Sequence, residues 1–347
     1  MRIALIVFVL STTVVLAGCV CASPCPPTRC VTTAQAAPTP PPTLPENATH
    51  ALYDGRLGTP TTLDDFYAEA LGTELVVFGE LHGHPVGAEY ELALLEKLGE
   101  SMKPVALAME FFERDTQVAL DAYLAGEMDE ATFMKETRRN KAFAATHGPL
   151  IAWAKANGAN VIAANAPRRL VSGYRNSDLD YDGYVASLDE ADRGLLPRST
   201  SVIEDAYWER FAGMMGGERA RPFFRSQSLW DDAMAESMAD YLDAHPGHRV
   251  LFVVGAFHVT EGLGTITKFL QRRPKAKVSS LVMSMTRDGN LGWSEDDHHA
   301  GSVVLKVHPP KRRGPTGPNP HRSMPKPKAV HSNIFGASSG PWNQPRK

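Results

Sequence analysis

Two turns in this sequence share one spacing of glycine and histidine, Gly79-Glu80-Leu81-His82 and Gly255-Ala256-Phe257-His258. The first follows the apolar run Leu75–Phe78, and the second closes a run that begins at Arg249. A glycine at that spacing lets the backbone fold tightly and aims an imidazole over the end of a strand. Two further apolar runs also end on polar side chains. Val105–Met109 ends in Glu110, and Val161–Ala164 ends in Asn165, with Pro167-Arg168-Arg169 behind it. Imidazole and carboxylate together serve as ligands to a borderline metal, or as a general base with the partner that orients it. His82, Glu110 and His258 are the candidate ligands for a divalent metal, with Glu80 beside them. Arg168 and Arg169 suit bidentate capture of a carboxylate. Gln227 and Asp231 stand one helical turn apart and share a face, turned either to this pocket or to solvent. Each residue alone has a plainer role: a strand-end histidine is commonly structural, Glu110 can cap a helix, and Arg169 can be solvated. Coincidence at four strand ends is what argues for a site.

The elements that must position these residues alternate along the chain. Strands are predicted over 75–78, 105–109, 161–164, 249–257, 278–285 and 303–307. Helices are predicted between them: one with Leu94, Leu98 and Met102 on a single face, others near 115–125, 129–139 and 149–157, and a helical region to about 244. Its last segment turns Trp230, Met234, Met238 and Tyr241 inward. Such alternation predicts an α/β domain over 49–307, a mainly parallel sheet covered by helices on both faces. No G-x-S-x-G elbow, Walker A loop or dinucleotide fingerprint occurs. All four cysteines (Cys19, Cys21, Cys25, Cys30) precede the domain, so it carries no cysteine nucleophile.

The ends have a different composition. Met1-Arg2 precedes an apolar run, and Leu16-Ala17-Gly18-Cys19 has the form of a lipobox. Residues 1–18 are therefore expected to be a signal peptide, and the Cys19 thiol to carry membrane lipid. Val20, where inner-membrane retention favours Asp, directs the expectation to the outer membrane. Residues 19–48, rich in Pro, Thr and Ala, read as a tether. The stretch 308–347 carries eight Lys/Arg and no acidic residue, so the rest of a chain of net charge −3 carries −11. A basic, Pro-rich tail of this kind is expected to be disordered. It lacks the aromatic interleaving that grips nucleic acid, and no nucleic-acid partner is expected.

One succession of motifs is specific: Gly79-Glu80-Leu81-His82, Ala108-Met109-Glu110-Phe111-Phe112-Glu113-Arg114, Ile162-Ala163-Ala164-Asn165-Ala166-Pro167-Arg168-Arg169, Trp230-Asp231-Asp232 and Gly255-Ala256-Phe257-His258. In this order over about 50–307 it resembles the ChaN-like lipoproteins, of a superfamily shared with Tiki, TraB and erythromycin-esterase-like proteins. The resemblance implies a single ChaN-like domain, haem binding, a homodimer around stacked haems and a role in haem or iron acquisition. Two positions depart from the family pattern. Ala88 stands where a further histidine is common, and His147 stands where many members carry a tyrosine of the kind associated with haem iron. Imidazole is itself a common axial ligand, so His147 joins the candidates. Phe111, Phe112, Phe143 and Trp153 are the candidate aromatic wall for a porphyrin. The competing function is a metal-dependent hydrolase, Tiki-like or esterase-like, working through the strand-end His and Glu residues.

Overall fold

The protein is described here by a computed structural model, over residues 47–310. The expected signal peptide, Cys19 and its lipid, nearly all of the tether, and the tail beyond Pro310 lie outside the described residues. Seven strands form one sheet: β1 (His50–Asp54), β2 (Leu75–Glu80), β3 (Val105–Glu113), β4 (Val161–Asn165), β5 (Arg249–Gly255), β6 (Val278–Met285) and β7 (Val303–Val307). Their order is β1-β7-β6-β2-β5-β3-β4; β1 runs antiparallel to β7 and every other pairing is parallel.

The parallel strands are apolar on both faces because both are covered. In β2, Val76 and Phe78 face one cluster and Leu75 and Val77 the other. The first cluster takes in Leu94, Leu95 and Leu98 of the Pro85–Gly99 helix, Leu150 and Ile151 of the Gly148–Asn157 helix, and Phe112, Phe133 and Phe143. The second rests on Met234, Met238 and Leu242 of the long Arg221–Ala244 helix and on Phe269 of the Thr265–Arg272 helix. The expected α/β layering is thus found.

Six strands match the sequence reading and one, β1, was missed. Its HALYD sequence alternates in burial as an edge strand does, with Ala51 and Tyr53 inward, but five residues ending in Asp carry little strand signal. The strand expected over 249–257 stops at Gly255; Ala256–His258 form a tight 3-10 turn. Met102, expected on the inner face of its helix, lies beyond that helix and is fully exposed.

Candidate functional site

In sheet order β2, β5, β3 and β4 are consecutive, so the four strand ends singled out by sequence lie side by side. This is where open parallel sheets place their ligands, beyond the carboxyl ends of the strands. A cleft of about 230 Å3 there is lined by His82, Glu110, Phe111, Glu113, Arg139, Asn165, Arg168, Trp230 and His258. A wider groove of about 740 Å3 continues from it past His82, Phe111, Arg139, Phe143 and His147.

The two turn glycines are needed for close approach; neither has positive φ. A Cβ on Gly79 would come within 2.9 Å of the Val259 side chain and 3.2 Å of the Ala256 backbone, and one on Gly255 within 3.0 Å of the His82 ring. Each glycine therefore lets the neighbouring strand end pass close by.

On the β5 side, His258 is buried and its Nδ1 donates to Asp231 Oδ1 at 2.6 Å. Asp231 also accepts from Thr265 Oγ1 at 2.6 Å and from the Tyr207 hydroxyl at 2.8 Å. The Gln227 amide donates to that hydroxyl at 2.8 Å and lies 3.0 Å from the His258 ring. Gln227 and Asp231 therefore turn inward, behind His258 and not into the cleft itself, one helical turn apart on the Arg221–Ala244 helix. Burial would lower the His258 pKa, but the Asp231 and Glu110 carboxylates overcome it and push it up to about 9. Burial and the Asp231 charge raise the Tyr207 phenol well above its ordinary value, so it stays a neutral donor.

Glu110 bridges the two halves. Its Oε2 accepts the Gly255 N–H at 2.7 Å and its Oε1 stands 3.7 Å from His258 Nε2. Asn165 Nδ2 donates to the Glu110 carbonyl at 3.2 Å, tying the end of β4 to that of β3.

On the β2 side, His82 is half exposed, and its Nδ1 donates to Glu80 Oε1 at 2.6 Å. The other Glu80 oxygen meets His147 Nε2 at 2.6 Å. Burial opposes ionisation of Glu80, but hydrogen bonds to His147 and His82 hold its pKa down to about 2. The Glu80 hydrogen bond in turn raises the His82 pKa. His147 does not face the groove freely: it is buried under Phe111, 4.2 Å between ring centroids, with Nδ1 2.8 Å from Thr146 Oγ1.

The aromatic wall is narrower than expected. Phe111 and Phe143 line the groove. Phe112 is wholly buried against Phe133 and Phe143. Trp153 packs on Gly99, where a Cβ would come within 2.3 Å of its ring. Of the paired arginines, Arg168 lines the cleft over Trp230, at 5.4 Å, whereas Arg169 turns away into an ion pair with Asp192.

Sequence reasoning missed Arg139, Tyr207 and Thr265, which come from distant segments. It also missed Glu91, which lies in the buried stripe Gly87, Glu91, Leu94, Leu95, Leu98. A carboxylate in an apolar stripe is a legible anomaly. Among the described residues, the metal-ligand grouping with every ligand atom within 4.8 Å of the others is Glu80, Glu91 and His147. His82, Glu110 and His258 converge on one cleft without forming such a group, since His82 is drawn to Glu80 and His258 to Asp231.

Among solved structures, the chain is similar to one described as cofacial heme binding to ChaN of Campylobacter jejuni, with a TM-score of 0.55 and 16% identity over 76% of this chain and 98% of that one. Fainter likenesses are the type III effector HopBA1 (TM-score 0.41, 14% identity, 71% and 93% covered) and an erythromycin esterase in its open conformation (TM-score 0.40, 11% identity, 74% and 83% covered). A search of curated proteins finds no match. The first of these likenesses shows the fold, and a family model described as haem-binding uptake, Tiki superfamily, ChaN matches residues 66–269, more than half of the chain. The chain belongs to that family.

Proposed function

We propose that this protein binds haem in the cleft and groove above β2, β5, β3 and β4, and does so as a lipid-anchored protein of the cell envelope. The observation that carries the reading is the state of His82. Its Nδ1 is committed to a buried carboxylate, which fixes the ring and makes Nε2 a better ligand, while the side chain stays 58% exposed. The surroundings suit a flat apolar ring with two carboxylates. Phe111 and Phe143 supply apolar surface. Arg139 and Arg168 line the cleft, and neither pairs with a carboxylate among the described residues. The anchor rests on the lipobox at Cys19, with acyl chains enough for stable attachment. A role in iron acquisition and a dimer around haem follow from the family and belong to the same proposal.

Titrating haemin into the purified protein tests it: a saturable Soret band is expected, shifted in His82→Ala with affinity down by roughly 10-fold or more. The melting temperature of that variant should move by no more than about 2 °C, because an exposed ring adds little to the core. A wild-type protein that gives no saturable band would sink the haem reading. Sedimentation with and without haemin measures the dimer. Labelled palmitate should enter the wild type and not Cys19→Ala; label in the variant would refute the anchor. The competing hydrolase rests on His82, Glu110 and His258, and the ring commitments described above leave that trio short of ligand spacing.

A further inference from the structure

Beneath His82 the floor of the site gathers two buried carboxyl groups that pair with no Lys or Arg among the described residues. Glu80 comes from the end of β2, Glu91 from the core side of the Pro85–Gly99 helix, and His147 from the start of the Gly148–Asn157 helix. They are 3%, 1% and 3% exposed, with one ligand atom of each within 4.8 Å of the others. Glu91 is the anomaly. Neither of its oxygens has a hydrogen-bond partner, and its nearest basic atom is His147 Nε2, 3.8 Å from Oε2. A carboxylate taken out of water without a partner is costly; native proteins bury one when it is protonated, paired or bound to a metal.

The histidine is set up to be a ligand. Thr146 Oγ1 lies 3.1 Å from the Ala142 carbonyl and 2.8 Å from His147 Nδ1. When the hydroxyl donates to the carbonyl, it accepts from Nδ1–H, which leaves Nε2 free to give up its hydrogen bond to Glu80 and offer its lone pair to a cation. An outer hydrogen bond of this kind commonly fixes the tautomer of a metal-binding imidazole. Phe111 and Phe143 cover the ring, keeping water away.

We propose that Glu80, Glu91 and His147 form a buried site for one divalent first-row transition cation, held by a carboxylate oxygen from each glutamate and by His147 Nε2. Two carboxylates and an imidazole are ligands of the hard-to-borderline class that manganese, iron and zinc accept. The cation supplies the positive charge the cluster lacks and satisfies Glu91. It also lies one carboxylate from the exposed histidine, because Glu80 would hold the cation through Oε2 while holding His82 through Oε1. The site does not depend on the haem reading: it uses none of the groups exposed in the cleft.

Manganese(II) is the probe of choice, because the thiols of Cys21, Cys25 and Cys30 would compete for zinc. The full-length chain, stripped with chelator and free of haem, is titrated with Mn2+ while the six-line spectrum of the free ion is followed by electron paramagnetic resonance. One Mn2+ should bind per chain, with affinity weakened roughly 100-fold or more in Glu91→Gln and in His147→Ala, and about 10-fold in His82→Ala, which removes only the outer partner of Glu80. Circular dichroism on each variant confirms the fold. A wild-type chain that leaves the free-ion spectrum unchanged overturns the proposal, as does a folded Glu91→Gln that binds Mn2+ as the wild type does. In either case the missing charge is a proton shared between Glu80 and Glu91. Haemin titration of the same samples reads the cleft separately.

Discussion

His258 and His82 each donate through Nδ1 to a buried carboxylate at 2.6 Å, yet the two carboxylates keep different company. Asp231 accepts from His258, Thr265 and Tyr207, three donors converging on a single negative charge. Glu80 shares its pocket with a second carboxyl, Glu91, whose oxygens have no hydrogen-bond partner and whose nearest basic atom, His147 Nε2, is 3.8 Å away. One half of the site is electrostatically complete as it stands and holds its imidazole still. In the other half, burial and the Glu80 charge push the Glu91 carboxyl toward its neutral form, and the cation proposed above would let it ionise. The same Gly-x-x-His turn thus serves as a strut on β5 and, in the proposed function, would present a ligand on β2. The difference comes from what the facing helices contribute, Arg221–Ala244 in one case and Pro85–Gly99 in the other.

The largest effect should follow from breaking the complete half. Asp231→Ala leaves a buried imidazolium and two buried hydroxyls without their acceptor, and should cost about 3–5 kcal/mol in denaturant unfolding. Asp231→Asn, which keeps the shape and some of the bonds, should cost less. A loss under about 1 kcal/mol in the alanine variant would show that the network is not a strut.

Next in size is the alkaline limb of the stability profile. The folded pKa of His258, about 9, lies above its unfolded value near 6.5. The stabilisation is therefore complete below about 6.5 and is lost as pH rises toward 9, by an amount on the order of 3 kcal/mol. Glu80 behaves in the opposite sense: with its pKa depressed to about 2, its contribution is present above about 4.5 and is lost as acid is added. Unfolding measured from pH 5 to 9.5 in wild type and Asp231→Asn should show the alkaline loss flattened in the variant. An unchanged slope would remove His258 as its source.

A smaller effect of opposite sign should come from the incomplete half. Burial and the Glu80 charge raise the Glu91 pKa, so ionising Glu91 in the folded protein is penalised as pH rises above the ordinary carboxylate range. Without metal, Glu91→Gln should raise stability at neutral pH by about 1 kcal/mol, since a neutral amide can donate to Glu80. Destabilisation of the metal-free protein by that change would mean that Glu91 is already satisfied, and the contrast between the halves would fall. The smallest effect on stability is expected for His82→Ala, within about 0.5 kcal/mol, for a half-exposed ring that serves a ligand more than the core.

Much of this site was legible in the residue order. Glu80, His82, Glu110, Asn165, Arg168 and His258 were readable because each ends an apolar run or stands just beyond one, and a parallel α/β sheet collects such ends along one edge. Strand and helix periods also foretold the layering, since both signals are local. The roles of Gln227, Asp231 and His147 were not readable: the helical spacing of the first two allowed either solvent or pocket, His147 stood out only as a departure from the family pattern, and only the fold shows all three buried. Glu91 was visible as a charge in an apolar stripe, but nothing near it in sequence says what it faces. Its neighbours, Glu80 and His147, lie 11 and 56 positions away. Local pattern thus determined the elements and which polar residues stand at their ends. The tertiary structure alone decided which charges meet and which go unpaired, because short-range electrostatics in a dry interior depends on distances that strand order sets and sequence spacing does not.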